Sequence, residues 1–243
     1  MKCNFKRGGI LDNDKVKNQI KNGIIISCQA LEDEPMYSEK GGVMPLFAIA
    51  AQKAGARGIR ANTVRDILEI KEKVDLPMIG IIKKVYGDCK VFITPTMKEI
   101  DELAKTGVEI IAMDATLRQR PDKKSIDEVF RKAREKYPNQ LFMADCSTFE
   151  DALNAAKLGF DFIGTTLNGY TDETCDQPKP NFELVKEIVK NTDVPVIAEG
   201  SIIHPEQGRK MLEIGAYSFV VGGAITRPLQ IAERFVSEIK DFA

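Results

Sequence analysis

Three charged residues occupy the same place in three separate stretches of the chain. Lys83 closes IGIIK, Asp145 closes LFMAD and Glu199 closes VPVIAE. Each stretch is apolar up to its charge, so each charge stands where a buried strand would end. A lysine with carboxylates can move protons on and off a substrate: the neutral amine takes one and a carboxyl returns one. The same amine can instead attack a carbonyl and form a Schiff base. A fourth stretch, YSFVVGGAITRP at 217–228, ends its apolar run in Gly222 and Gly223 and continues to Arg227. Adjacent glycines weaken strand and helix alike, so bare backbone has a use there. The N–H groups of Gly222, Gly223 and Ala224 can face an anion where no side chain intrudes. A helix start would add its positive end, and Arg227 a charged fork.

Composition narrows the chemistry. His204 is the only histidine, which removes a Ser-His-Asp triad and a histidine metal cage; in SIIHPEQG it reads as a loop or capping residue. The cysteines, Cys3, Cys28, Cys89, Cys146 and Cys175, are scattered with no C-x-x-C pair. Neither a disulfide framework nor a cysteine zinc site is expected, and a reduced cytosol fits. Lys+Arg 35 against Asp+Glu 36 leaves a net charge of −1, which offers no general basic field for nucleic acid. No apolar run approaches membrane-spanning length, and no apolar segment follows MKCNFKRGG, so neither a transmembrane helix nor a signal peptide is expected. No metal and no cofactor is expected.

Positioning these residues takes strands that end side by side. Strand patterns lie at 24–28, 57–61, 78–82, 109–113, 141–144, 161–165, 194–198 and 217–221. Helical patterns alternate with them at about 43–54, 63–73, 97–106, 125–136, 148–158, 181–191, 205–214 and 228–240, and an extra N-terminal helix is expected at about 12–22. Thr63 with Asp66 resembles a capping box, and Ser125 precedes Asp127 and Glu128 in a first turn. Gly55, Gly107, Gly159 and Gly215 follow helix ends in the C-cap pattern. The strict alternation implies an all-parallel sheet, and 243 residues suit one (β/α)₈ barrel, which typically takes roughly 250. An open doubly wound sheet is the alternative, but no G-x-G-x-x-G follows the first strand. We read residues 1–243 as a single barrel domain, with 1–22 as an N-terminal extension and helix.

Function in such a barrel collects at the C-terminal strand ends. There the sequence offers Ser27 and Gln29, Arg60 and Asn62, Lys83, Asp114 and Thr116, Asp145, Thr165 and Thr166, and Glu199, Gly200 and Ser201 before the glycines of strand 8. Side-chain alternation puts Lys83, Asp145 and Glu199 on one side of their odd-numbered strands, where they can crown one layer with Gln29 or Ser27. The blander readings are solvated strand ends, an Arg60–Asp114 pair, and glycines that serve only a tight turn.

The motifs IISCQALEDEP, GIRAN, IGIIKKVY, FITPTMKEIDEL, AMDAT, MADCST, GTTLNGYT, PVIAEGSI and GAYSFVVGGAITRP, in that order, resemble the N-acetylmannosamine-6-phosphate 2-epimerase family from about residue 24 to 235. The resemblance implies a phosphate-binding TIM barrel of sialic acid catabolism that interconverts N-acetylmannosamine 6-phosphate and N-acetylglucosamine 6-phosphate without a metal. It implies Lys83 as catalytic acid/base and Glu199 as its partner. Gln29, Arg60, Asp145 and Thr166 would contact the sugar, and Gly200, Gly222, Gly223 and Arg227 the phosphate. Ser201 departs from the pattern, which has a basic residue after AEG. Two rival readings are a Schiff-base lyase or aldolase acting through Lys83 and a sugar-phosphate-binding barrel without chemistry. Asp122-x-Lys124-x-x-Asp127 fits the D-x-K-x-x-D pattern of orotidine decarboxylase-like barrels, but it enters a polar helix start rather than closing an apolar strand. Self-association as a homodimer through outer helices is expected, in the cytoplasm, with no nucleic acid or membrane partner.

Overall fold

The computed structural model describes residues 12–242. Eight strands, β1 (Ile24–Cys28), β2 (Gly58–Asn62), β3 (Met78–Ile81), β4 (Ile110–Asp114), β5 (Leu141–Asp145), β6 (Phe162–Gly164), β7 (Val196–Ala198) and β8 (Ser218–Val221), pair in parallel and close in sequence order. Each of the first seven is followed by a helix: α2 (Met44–Lys53), α3 (Val64–Lys71), α4 (Met97–Lys105), α5 (Ile126–Lys136), α6 (Phe149–Leu158), α7 (Phe182–Asn191) and α8 (Pro205–Glu213). Helix α1 (Asn13–Ile20) precedes the barrel, and α9 (Pro228–Glu238) with a 3₁₀ turn at Lys240–Phe242 comes after it. This is the expected (β/α)₈ barrel with its extra N-terminal helix.

Strand alternation sorts the apolar side chains into two layers. Ile25, Ile79, Ile81, Ile110, Leu141, Met143, Phe162, Ile197 and Val220 fill the barrel interior. Their neighbours, among them Ile26, Ile59, Ile111, Met113, Phe142, Ile163 and Val221, pack under the helices. Helix α1 closes the N-terminal mouth. Its Val16 and Ile20 join the interior cluster, Asn13 Nδ2 donates to Asn139 C=O (3.0 Å), and Lys17 C=O accepts from the Tyr217 hydroxyl (2.9 Å). With one mouth plugged, only the C-terminal end of the strands is left to receive a ligand.

Several boundaries differ from the sequence reading. Strands β2 and β4 lie one residue later than expected, and their last residues, Asn62 and Asp114, pair with Ile81 and Asp145. Strand β7 is only Val196–Ala198: Pro195 has no N–H to give a ladder. Strand β6 stops at Gly164, because the Thr165 side chain, not its backbone, makes the link to β7. Ser125 forms the full capping box with Glu128. Thr63 does not, because its N–H is already spent on Ile81 C=O (3.0 Å) and the Asp66 carboxylate turns to Arg65. Gly55, Gly107, Gly159 and Gly215 all take positive φ. No described helix is long and apolar enough to cross a membrane.

Candidate active site

Lys83 is set by the segment after β3. Its N–H donates to Asn62 Oδ1 (2.9 Å), and the chain then doubles back through an antiparallel bridge between Lys83 and Ile93. Lys84 N–H to Phe92 C=O (2.8 Å) and Thr94 N–H to Ile82 C=O (2.7 Å) complete this hairpin. It lays Phe92 and Ile93 beside the lysine as an apolar wall. Burial therefore lowers the Lys83 pKa from 10.5 to about 8, helped by the positive charges of Arg227 and Arg60 and opposed by Glu199 and Glu34.

Glu199 is set by Thr165. The Thr165 hydroxyl donates to Glu199 C=O (2.8 Å) and accepts its N–H (3.0 Å), fixing the residue's backbone on both sides of its Cα. Gly200 then takes φ +118° and Ser201 φ +53°, and the chain turns away. A Cβ on Gly200 would meet nothing nearer than Thr165 C=O at 3.5 Å, so conformation rather than space calls for glycine here. Burial pushes the Glu199 pKa up, as does the nearby Asp145; Arg60, the Thr166 hydroxyl and Lys83 act against the rise.

Arg60 joins the two carboxylates. Its guanidinium makes a two-pronged contact with Asp145, Nη2 to Oδ2 at 2.6 Å and Nη1 to Oδ1 at 3.1 Å, and Nη1 lies 3.2 Å from Glu199 Oε2. Thr166 Oγ1 bridges Asp145 Oδ1 (2.7 Å) and Glu199 Oε2 (3.0 Å). Burial works against the arginine's charge, but the two carboxylates outweigh it and hold the guanidinium pKa above its usual value. The Arg60–Asp114 pair does not form. Asp114 accepts instead from Arg118 Nη2 (2.8 Å) and the Thr116 hydroxyl (2.7 Å).

After β8 the chain makes one tight turn, in which Ile225 and Thr226 N–H both donate to Gly222 C=O (2.8 and 2.9 Å). The Gly223 and Ala224 N–H groups inside that turn find no acceptor among the described residues. Neither glycine needs a positive φ. A Cβ on Gly222 would press on Ser27 Cβ at 3.3 Å, and one on Gly223 would collide with the Gln230 side chain. Neither contact is with backbone: Ser27 would have to give by a few tenths of an ångström and the end of the Gln230 side chain would have to swing aside. Arg227 caps the entry to α9, and its Nε lies 2.5 Å from Glu34 Oε1.

These pieces enclose one cavity of about 340 Å³. Lys83, Glu199, Gln29, Arg60, Thr166, Gly200, Gly222, Gly223 and Arg227 all line it. Gln29 Nε2 donates to Ser27 Oγ (2.7 Å), while its buried Oε1 has no partner among the described residues. Asp145 is the exception to the sequence reading. It is fully buried, lies off the cavity wall and touches the site only through Arg60 and Thr166. Ser201, where a basic residue was expected, also lines the cavity, and its hydroxyl sits 3.2 Å from that of Tyr170. His204 is the exposed N-cap of α8, its N–H held by Gln207 Oε1 (3.0 Å). Asp122 pairs with Lys124 and Asp127 accepts from Asn154, all off the cavity wall.

Sequence reasoning missed the supports. Thr165 and Asn62 were visible as strand-end residues, but nothing said that one clamps Glu199 and the other Lys83. Glu34 and Tyr170 lie in loops, where no periodicity marks them.

A family model described as "Putative N-acetylmannosamine-6-phosphate epimerase" matches residues 44–241. A Listeria monocytogenes serotype 4b protein named "Putative N-acetylmannosamine-6-phosphate 2-epimerase" is 51% identical over 229 residues, covering 93% of this chain and 98% of the relative. A Borreliella afzelii protein of the same name is 53% identical over 224 residues, covering 91% and 96%. The solved N-acetylmannosamine-6-phosphate 2-epimerase from Clostridium perfringens shares 50% identity at a TM-score of 0.86, over 91% of this chain and 95% of that one. A thiamine phosphate pyrophosphorylase from Pyrococcus furiosus, at 19% identity and a TM-score of 0.58 over 92% of this chain and 98% of that one, shares the barrel alone.

Proposed function

The chain belongs to the N-acetylmannosamine-6-phosphate epimerase family, and we propose that its cavity inverts C2 of N-acetylmannosamine 6-phosphate to give N-acetylglucosamine 6-phosphate, by removing the C2 proton and returning one to the other face. In sialic acid catabolism this supplies the gluco-configured phosphosugar. The observation that carries the reading is the pair Lys83 and Glu199. Lys83 follows β3 by two residues and Glu199 follows β7 directly, two strands that stand four apart in a closed ring of eight, and both side chains line the cavity.

The C2–H bond of an amino sugar becomes acidic when the ring opens, because the C1 aldehyde can take the charge as an enolate. Lys83, with its pKa drawn down to about 8, has a usable neutral fraction at neutral pH and removes the proton. Glu199, with its pKa raised, is suited to hold a proton and deliver it from the opposite side. Arg60 lines the same cavity and stabilises the oxyanion, and the unpaired Gln29 Oε1 accepts the acetamido N–H. Thr166 orients Glu199. Gly200, Gly222, Gly223 and Arg227 take the 6-phosphate, with Gly223 and Ala224 N–H groups donating. Asp145 contributes by holding Arg60 rather than by touching sugar.

Turnover in heavy water tests the proton route. An ammonium exchanges its hydrogens with water, so the product should carry deuterium at C2 and none at C1 or C3. Deuterium at C1, or full retention of the C2 hydrogen over many turnovers, would mean a hydride shift or a shielded transfer.

The outer face of α9 supports a homodimer. The helix buries none of its residues and exposes Leu229, Phe235 and Val236, with Ile239 just beyond its end, an apolar stripe suited to a second copy. Light scattering should return twice the mass of one chain, and Phe235→Glu should shift it toward the monomer. The four described cysteines are free, which agrees with a reduced cytoplasm as the place of work.

A further inference from the structure

Arg227 is held from one side only. Its Nε lies 2.5 Å from Glu34 Oε1, an ion pair too bent to be a hydrogen bond, and is itself buried. Its terminal Nη groups have no partner among the described residues, and the residue lines the cavity. Glu34 is in turn fixed by its own turn. Leu31 N–H donates to Glu34 Oε2 (2.7 Å), while Glu34 N–H donates to Leu31 C=O (2.9 Å), so side chain and backbone close the same four residues. The loop that carries it is tied to α3 at two further points, Gly42 N–H to Glu69 Oε2 (2.8 Å) and Arg65 Nη1 to Glu39 C=O (2.7 Å).

A guanidinium binds a phosphate best with two N–H groups in a fixed fork, and a long side chain must give up rotamer freedom to offer it. A carboxylate seated on the Nε edge removes that freedom in advance and leaves the opposite edge open. We propose that Glu34 is the positioning residue for Arg227: it holds the guanidinium by its Nε edge so that the Nη groups meet the phosphate of the substrate. This rests on the phosphosugar reading above.

The alternative role for an anion at this place is repulsion, which would disfavour phosphate, and the two roles predict opposite signs. The probe is inorganic phosphate, titrated calorimetrically into the full chain, with KM and kcat for N-acetylmannosamine 6-phosphate measured alongside. Glu34→Ala should weaken phosphate binding and raise KM by about tenfold, the scale of one charge-assisted contact, with a much smaller change in kcat. Glu34→Gln, which keeps an acceptor for Leu31 and so protects the loop, should fall between Glu34→Ala and the parent. Arg227→Ala should weaken phosphate by roughly 10- to 100-fold, and adding Glu34→Ala to it should cost nothing more. Phosphate that binds as well or better in Glu34→Ala, or effects that add in the double variant, would overturn the proposal. Because the phosphate titration needs no turnover, it judges Glu34 even if the parent chain fails to epimerise the phosphosugar.

Discussion

Lys83→Met should lose epimerisation by about a hundred- to ten-thousandfold while the chain melts at a higher temperature than the parent at neutral pH. The first effect is the loss of a positioned base. With a pKa of about 8, roughly one lysine in ten is neutral at pH 7; at the ordinary value of 10.5 the fraction would be some three-hundredfold smaller. The parent rate should therefore follow a bell-shaped pH profile, because it needs Lys83 without its proton and Glu199 with one. The second effect follows from the same shift. The folded state binds the lysine's proton less tightly than the unfolded chain does, so the buried ammonium costs stability throughout the range below pH 8. That cost shrinks between about 8 and 10.5 and is gone above. Methionine keeps the stem and removes the charge, so its gain in melting temperature should be full at pH 7 and should vanish above pH 10.5. Phosphosugar affinity should change little, since the phosphate is assigned to the turn after β8. A variant that keeps a tenth of the parent rate, or melts lower at pH 7, would remove the desolvated lysine from the mechanism.

Arg60→Met is the second large expectation, and here the effect is on stability as much as on rate. Asp145 is fully buried and Glu199 is 14% exposed, and Arg60 contacts both. Without the guanidinium, two carboxylates that share Thr166 remain in a low-dielectric site with no cation in contact. Breaking a buried ionic cluster from one side typically costs about 3–5 kcal/mol. Denaturant titration at pH 7 should find a loss of that order, with epimerisation absent. The sign of the pH dependence is fixed. Glu199 already has a raised pKa, and removing Arg60 raises it further. A carboxyl whose folded pKa exceeds its unfolded one destabilises above that pKa and is relieved below it, so the variant should recover part of its loss as pH falls toward 5. Adding Asp145→Asn and Glu199→Gln should recover it at pH 7 as well, without activity. A loss of less than about 1 kcal/mol in Arg60→Met would show that the cluster is not the closed ionic unit its distances describe.

The same cluster marks the limit of what a linear reading can reach. That Asp145 and Glu199 stand at strand ends was legible, because the pattern that makes a buried strand is local: an apolar β-branched run, then a charge where burial stops; Arg60, expected beside them, lies instead in the middle of β2. The alternation of eight strands with eight helices was legible for the same reason, and so were the glycines that end those helices, since the left-handed turn is a property of one residue. The identity of the partners was not legible. Arg60 meets Asp145, 85 positions away, and ignores Asp114 because ring closure and strand stagger decide which inward side chains converge, and neither is encoded in any window of sequence. Asp145 resembled a cavity residue until Arg60 and Thr166 covered it. Glu34 reaches Arg227 only because β1 and β8 are neighbours in the closed ring. Helix α9 carries an ordinary amphipathic pattern in sequence, yet its apolar side finds no barrel surface. Amphipathicity states that a face needs cover, and only the tertiary structure decides whether this chain or a second copy provides it.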